Sequence, residues 1–280
     1  MVEFLGTELN KHITAALGWS HIFFSGIPIL TFHDIEDIPE IYSISTERFI
    51  ELLKYLKFEG YKTITAKNLL NINIQDVIKK KIILLTFDDG LASHIDIAAE
   101  YLYKFGFSAT FFLISSFIKG ERKSYNLGNQ KYIFMSFGDI NNLVKGGFEI
   151  GSHSHTHRLL GTLTQKEIVY EISQSARVLE DITGIPIISF AYPYGRYGAY
   201  NNYVKKTLRE NHIKLAFTQM GYRANLLGDP LLVPRINVDQ SDNLNDLINK
   251  IKGCYDFIGR ARSCYYKFKD RITGNKEITL

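Results

Sequence analysis

The stretch from 82 to 90, with the sequence IILLTFDDG, decides the fold. Its first six residues are apolar or β-branched, and a strand of this kind is buried on both faces, as in a parallel sheet covered by helices. The acidic pair Asp88-Asp89 and Gly90 follow at once and mark the carboxyl end of the strand. Parallel α/β folds collect their functional side chains at these ends. The stretch therefore predicts a parallel sheet with a candidate site at one edge.

Similar apolar runs alternate with amphipathic segments along the chain. Further strands are predicted at 27–32, 61–65, 109–114, 148–152, 187–192, 214–218 and 231–238. Helices are predicted at 45–58, 93–105, 136–145, 164–182, 200–211 and 242–251. Seven or eight such strand–helix units favour a distorted (β/α) barrel of about seven parallel strands over an open sheet. We expect an N-terminal extension at 1–25, the barrel at 26–251 and a basic C-terminal tail at 252–280.

The composition is that of one globular domain. The chain has 280 residues, of which 45% are hydrophobic and 22% are charged. No apolar run approaches the roughly 18–20 residues of a membrane-spanning helix, and the first residues lack the basic and apolar segments of a secretion signal. Cys254 and Cys264 have no Cys-x-x-Cys spacing and fit a reducing compartment. We therefore expect a cytoplasmic protein, with an exported protein whose signal has been trimmed as the alternative.

The net charge of +4 is concentrated at the C-terminal end. From 251 to 280, seven Lys and Arg residues face three acidic residues, a surplus of four. We predict that this tail is a solvated closing segment, with weak contact to an anionic membrane surface as the alternative. Because the rest of the chain is balanced in charge, nucleic acid is not expected as a partner.

Polar side chains follow the predicted strands at the end where parallel strands meet. They are His33-Asp34, Asp88-Asp89, His153 to His157, Pro193-Tyr194-Gly195, and Arg235 with Asn237 and Asp239. The remaining histidines are placed differently: His212 precedes its strand and falls at the opposite end, and His12, His21 and His94 follow no strand. The chemistry is therefore expected at one mouth of the barrel.

Two adjacent carboxylates, Asp88 and Asp89, repel each other at a buried strand end unless a cation or a proton shares the site. His153 and His157 point to the same side whether their segment is extended or helical, whereas His155 joins them only in an extended segment. Two imidazoles and a carboxylate suit zinc, cobalt, nickel or iron and leave positions open for water, as in catalytic sites. The alternatives are an ordinary polar turn at 88–90 and a structural histidine at position 33.

These motifs resemble those of the polysaccharide deacetylases that carry the NodB-homology domain, carbohydrate esterase family 4. The sequence TFDDG at 86–90 is similar to the first motif of that family, HSHTH at 153–157 to the second, and PYG at 193–195 to the end of the third. The arginine that the family carries two residues before that proline is Ala191 here, and the late Leu-x-His motif is missing. Both departures resemble the branch that deacetylates poly-β-1,6-N-acetylglucosamine, whose catalytic histidine lies in the first strand, as His33 does here.

The resemblance implies a metal-dependent hydrolase that removes N-acetyl groups from an amino sugar in a polysaccharide or glycan precursor and releases acetate. Asp89, His153 and His157 would hold one divalent ion, for which zinc is expected first and cobalt, nickel or iron are alternatives. Asp88 would be the general base, and His33 would protonate the departing amine. The implied partner is an N-acetylated sugar.

Further assignments complete the predicted site. By the same resemblance, the backbone N–H of Tyr194 would stabilise the oxyanion. We expect Arg235 to replace the missing motif arginine by pairing with Asp88, with surface pairing to a helix as the alternative. Tyr192, Tyr194 and Tyr197 are candidates for stacking on sugar rings, or else for core packing.

Two other classes of protein fit the same residues. Non-haem iron oxygenases also use two histidines and one carboxylate, although their β-sandwich fold does not match the strand–helix alternation. A non-catalytic glycan-binding protein with a relic site would account for the missing arginine. Acetate release, measured with and without a chelator, separates the three.

Overall fold

A barrel of parallel strands surrounded by helices forms the centre of the protein. The computed structural model describes residues 26–36, 42–72, 80–127, 130–225 and 227–273, with 127, 130 and 266–273 described by their backbone alone. The strands are β1 (Ile29–Phe32), β2 (Asp34–Ile35), β3 (Ser43–Ile44), β4 (Lys62–Ile64), β5 (Ile82–Phe87), β6 (Thr110–Leu113), β7 (Lys123–Leu127), β8 (Gln130–Phe134), β9 (Glu149–Ser152), β10 (Ser189–Ala191), β11 (Leu215–Thr218), β12 (Val233–Pro234) and β13 (Ile236–Asn237). The helices are α1 (Thr46–Phe58), α2 (Ala66–Leu69), α3 (Glu100–Phe105), α4 (Phe137–Lys145), α5 (Gln165–Thr183), α6 (Asn202–Glu210), α7 (Leu244–Lys252) and α8 (Asp256–Thr273).

The barrel closes through one short segment of chain. Its strand order is β12-β11-β10-β9-β6-β5-β1-β13, and neighbouring strands are parallel throughout. β12 and β13 are two halves of the segment 233–237, separated by Arg235, and they pair with β11 on one side and β1 on the other. β4 lies beside the first half of β5. This arrangement confirms the predicted barrel of about seven parallel strands.

Alternate residues of each strand point into the barrel. Ile82 and Leu84 of β5 pack there with Phe112 and Phe217, whereas Ile83, Leu85 and Phe87 pack outward against the helices. Because strand side chains alternate, the residues that follow the strands at 33, 88 and 153 continue the inward series at the mouth. The barrel is narrow: a Cβ on Gly151 would lie 2.5 Å from the Phe112 ring.

Helices with apolar inner faces cover the outside of the barrel. α5 begins at a capping box in which Thr164 and Glu167 bind each other's backbone N–H, and it ends at Gly184, whose φ is +67°. Its inner face carries Ile168, Ile172 and Leu179, but also the buried Glu171 and Ser175. α5 therefore packs on the barrel through apolar side chains and also places two polar side chains beside the candidate site.

The structure adds features that the sequence did not suggest. A β7–β8 hairpin interrupts the connection between β6 and α4, and a π-helical turn at 94–99 leads into α3. The segment expected to be a solvated tail forms α8, in which Asp256 and Gly259 are buried. The predicted N-terminal extension lies outside the described residues. No helix in the described part of the chain has the length and apolar character needed to cross a bilayer.

Candidate active site

Asp89, His153 and His157 form a cluster at the mouth of the barrel, on the loops that follow β5 and β9. One ligand atom from each lies within 4.8 Å of the others. Asp89 Oδ1 is 3.5 Å from His153 Nε2 and 3.7 Å from His157 Nε2. His153 Nδ1 donates to the carbonyl of Ala191 at 2.8 Å, which leaves its Nε2 without a proton and facing Asp89. Three donors therefore converge on one point.

The donor set fits a divalent cation. Asp89 Oδ1 is buried and has no hydrogen-bond partner in the described part of the chain. Burial raises the pKa of Asp89 to about 6 and lowers the pKa of His153 to about 3. It also lowers the pKa of His157. Two neutral imidazoles beside a buried carboxylate oxygen that lacks a partner form a donor set of the kind that binds zinc and similar ions.

The backbone at the site is held in an uncommon conformation. Asp89, Ser154, His157 and Tyr194 have φ values of +75°, +64°, +60° and +63°. They are four of the six residues other than glycine with positive φ in the described ranges. Such strained residues persist where surrounding contacts impose them, and they cluster at functional sites.

Glu171 and Ser175 of α5 hold the loop at 153–157, called the histidine loop below, in place. The Glu171 carboxylate is 1% exposed and accepts hydrogen bonds from the backbone N–H groups of His155 and Thr156 at 3.0 and 2.8 Å. The Thr156 hydroxyl also donates to it. Ser175 Oγ donates to the carbonyl of Ser154 at 2.9 Å. Sequence reasoning missed both residues, although polar side chains on the apolar face of a helix are a readable signal.

His155 points away from the cluster. Its Nδ1 lies 2.8 Å from Ser115 Oγ, and its ring packs edge-on against Tyr170 at 5.4 Å. The sequence left the role of His155 open. The structure shows that His155 connects the histidine loop to Ser115 and Tyr170 and does not join the cluster.

Asp88 forms a fully buried ion pair with Arg235. Both side chains are 0% exposed, and Arg235 Nη1 and Nη2 donate to the two carboxylate oxygens at 2.7 Å each. Arg235 also lies over the rings of Phe112 and Phe217, at 5.4 and 5.9 Å. Burial alone would raise the pKa of Asp88, but the charge of Arg235 holds it well below its usual range. Asp88 is thus ionised, and the structure rules out the alternative of surface pairing for Arg235.

His33 lies beside Asp88, with Gln219 between them. Gln219 Nε2 is 3.4 Å from His33 Nε2 and 3.5 Å from Asp88 Oδ2. Burial lowers the pKa of His33, and the nearby carboxylates of Asp89 and Asp88 oppose that effect. Sequence reasoning missed Gln219, which directly follows β11 and resembles an ordinary loop residue.

His94 contacts the backbone of His33. Its ring is fully buried, its Nε2 contacts the His33 carbonyl, and it packs against Phe87 and Phe111. Sequence reasoning did not include His94, because this residue lies in a helical turn after the site motif and not at a strand end.

The three candidate tyrosines differ. Tyr194 is 49% exposed and lies 4.9 Å from the His157 ring, so it can meet a ligand. Tyr192 is fully buried and donates to the Leu231 carbonyl at 3.0 Å, so of its two predicted roles the structure shows core packing and not stacking on a sugar. Tyr197 is half-buried.

The barrel and the Asp-His-His cluster together define an α/β-barrel enzyme with its site at the carboxyl ends of the strands. The family model for polysaccharide deacetylases matches residues 76–216. The chain belongs to this family. The match includes Asp88, Asp89 and the histidine loop, whereas His33 and Arg235 lie outside it.

Relatives of known name cover different shares of the chain. The poly-β-1,6-N-acetyl-D-glucosamine N-deacetylase of Staphylococcus aureus (strain MSSA476) is 24% identical over 224 residues, which are 77% of this chain and 74% of that protein. YxkH of Bacillus subtilis (strain 168) is 27% identical over 172 residues, 61% of this chain and 57% of that protein. The match to a bifunctional xylanase/deacetylase of Pseudobutyrivibrio xylanivorans covers 17% of that protein. The chain thus spans less than two thirds of the last two.

Solved structures share the fold. The Streptococcus pyogenes deacetylase PplD, in complex with acetate, superposes with a TM-score of 0.68 at 22% identity, over 81% of this chain and 98% of that one. IcaB from Ammonifex degensii superposes with a TM-score of 0.65 at 22% identity, over 82% of this chain and 98% of that one.

Proposed function

We propose that the protein is a metal-dependent hydrolase that removes N-acetyl groups from an amino sugar in a polysaccharide or glycan precursor and releases acetate. One observation carries the proposal: a carboxylate held ionised by a buried arginine, Asp88, lies next to the Asp89–His153–His157 cluster. Family membership and a named relative that deacetylates an N-acetylglucosamine polymer support it.

Asp89, His153 and His157 would hold the metal ion, with zinc expected first. When bound, the ion supplies a Lewis acid that lowers the pKa of a water and polarises the acetyl carbonyl. Asp88 Oδ2 lies 3.9 Å from His153 Nε2, so it borders the space in front of the cluster. From there Asp88 can accept the proton of the attacking water, because the ion pair with Arg235 keeps it in the basic form.

The other residues complete the reaction. His33 faces Asp88 across Gln219, and we assign to it the proton that the departing amine receives as the C–N bond breaks. The backbone N–H of Tyr194 is assigned to the developing oxyanion. The water oxygen ends on acetate, and the sugar keeps a free amine.

The test is acetate release from N-acetylglucosamine oligomers, linked β-1,6 or β-1,4, before and after chelation. We expect chelation to abolish release and added zinc to restore it. Asp88→Asn should retain the metal but lose about 10²-fold or more in rate, whereas the control Asp181→Asn, an exposed aspartate of α5, should behave as wild type. Release that persists after complete metal removal would refute the proposal, and a requirement for O₂ would indicate an iron oxygenase instead.

A further inference from the structure

His94 is a buried histidine that the proposed reaction does not use. Its side chain is 0% exposed, and its Nε2 contacts the backbone carbonyl of His33. We propose that His94 is a positioning residue, which fixes the main chain of His33 and thereby aims the His33 ring at the departing amine. This inference rests on the proposed function, in which His33 gives that amine its proton.

The ring of His33 is held only weakly by its own contacts. Within the described ranges, its Nε2 lies 3.4 Å from Gln219 Nε2, which is longer than the usual distance of about 2.7–3.2 Å. Its Nδ1 is buried and has no hydrogen-bond partner there. The Tyr42 ring, 5.3 Å away, is itself exposed to solvent. The position of the His33 ring therefore depends on the main chain that carries it.

Two neighbouring side chains hold this main chain. A carbonyl oxygen can only accept a hydrogen bond, so the His94 ring carries its proton on Nε2 and donates it to the carbonyl of residue 33. Burial lowers the pKa of His94, which agrees with a neutral ring. The Ser93 hydroxyl donates to the Asp34 carboxylate, which also accepts the backbone N–H of Ile35 at 2.8 Å. Residues 33 and 34 are thus both tied to the pair at 93–94.

The His94 ring is fixed in an aromatic pocket. The rings of Phe87 and Phe111 lie 5.4 and 5.9 Å from it, and Phe87 stacks on Phe32 at 5.1 Å. Phe32 and Phe87 directly precede the proposed proton donor and the proposed base. The pocket therefore connects the two chain segments that carry these groups.

The chain itself links the His94 contact to the metal cluster. His94 follows Asp89 by five positions and begins the π-helical turn at 94–99, a conformation that is frequent at functional sites. The short stretch 88–94 thus carries the base, one proposed metal ligand and both side chains that hold the end of β1. This stretch sets the distance between the proton donor and the rest of the site.

Packing alone does not account for a histidine at this position. His94 Nδ1 is buried and lacks a partner in the part of the chain that the structure describes, and an unpaired buried nitrogen is unfavourable. Leucine would fill an aromatic pocket without an unpaired nitrogen. What leucine lacks is the donor at Nε2, so the contact with the His33 carbonyl is what distinguishes the two side chains.

The test compares His94→Leu with His94→Gln in acetate release from N-acetylglucosamine oligomers by the zinc-loaded protein. Glutamine carries an N–H donor at the end of its side chain, whereas leucine has none. Ser93→Ala, at a half-buried position, removes the second contact. Leu102→Ala is the control, because it creates a cavity in the apolar core under α3. Amide hydrogen exchange of residues 30–36 is followed in parallel and needs no turnover.

We expect His94→Leu to lower kcat about 10- to 100-fold while KM and the zinc content stay at wild-type values, because a fully buried side chain does not contact the substrate. His94→Gln should recover most of the rate, and Ser93→Ala should lose less than His94→Leu. Leu102→Ala should lower the melting temperature but keep kcat. Exchange at 30–36 should be faster in His94→Leu than in the wild type or in His94→Gln.

Wild-type kcat in His94→Leu, or in Ser93→Ala where His94→Leu does not fold, would overturn the proposal. So would a rise in KM alone, or a His94→Gln variant as slow as His94→Leu. If the zinc-loaded wild type releases no acetate, the proposed function fails and hydrogen exchange decides. Faster exchange at 30–36 that glutamine reverses then supports the His94 contact, and wild-type exchange in His94→Leu overturns it.

Discussion

Replacing Arg235 by methionine should destabilise the protein strongly, because it leaves Asp88 buried without its counter-charge. The carboxylate is 0% exposed and receives two charge-assisted hydrogen bonds of 2.7 Å. Each is worth about 1.5–3 kcal/mol, and breaking a buried pair by removing one partner costs about 3–5 kcal/mol. The free energy of unfolding, measured in urea at pH 7.5, should fall by about 3–5 kcal/mol in Arg235→Met.

The double variant Asp88→Asn/Arg235→Met separates charge from packing. With no buried charge left, it should recover more than half of the stability that the single variant loses, while remaining inactive because the base is gone. Arg122→Met is the surface control: Arg122 pairs with Asp96 and Asp139 but is 36% exposed, so its loss should cost about 1 kcal/mol or less.

The pH dependence of stability gives the sign of the effect. In the wild type the pKa of Asp88 is lowered, so the pair's contribution is present above the unfolded pKa and is lost as the pH falls toward the folded pKa. In Arg235→Met the pKa of Asp88 should instead be raised by burial. The deficit should therefore be largest at high pH and should shrink as the pH falls. A loss below about 1 kcal/mol, or a double variant as unstable as the sum of the two singles, would refute this account of Asp88.

Three further changes test other parts of the structure. His153→Ala should abolish zinc binding, measured by metal analysis after dialysis, whereas His155→Ala should keep stoichiometric zinc because its ring faces Ser115; equal loss in both would contradict the cluster. Glu171→Gln should weaken zinc binding about 10–100-fold, since the residues that orient metal ligands have effects of this size, and an unchanged affinity would show that the histidine loop holds its shape without that carboxylate. Gly151→Ala should lower the free energy of unfolding by about 1–3 kcal/mol through overpacking, and a melting temperature equal to the wild type would show that the barrel interior can yield.

The strands, the residues at their ends and the bounds of a helix could be predicted, because each depends on residues that are close together in the sequence. The run at 82–87 is apolar or β-branched at every position because both of its faces are buried, and together with the alternation of such runs with helices it predicted a parallel sheet. The strand ends then located Asp88, Asp89, His153 and His157 at one mouth, where the structure brings them together. The bounds of α5, predicted at 164–182, agree with its capping residues.

Contacts between distant segments were harder to predict. Arg235 and Asp88 are 147 positions apart, and only the resemblance to a motif with a displaced arginine suggested that they pair. Gln219 and His94 reach the site through the packing of loops and a helical turn, which leaves no periodic signal. The segment after 251 was expected to be a solvated tail because its charge surplus is clear in the sequence, whereas the buried Asp256–Arg223 contact at the start of α8 is not.

The way the barrel closes has a consequence for expressing parts of this protein. The last two short strands join the first strand to β11, so a fragment limited to the matched stretch 76–216 would lack both β1 and the closing segment. Such a fragment would expose open strand edges, which invite aggregation, and would contain Asp88 without the guanidinium that neutralises it. During synthesis on the ribosome, Arg235 emerges long after Asp88. The charge of Asp88 can therefore be neutralised by its partner only near the end of translation.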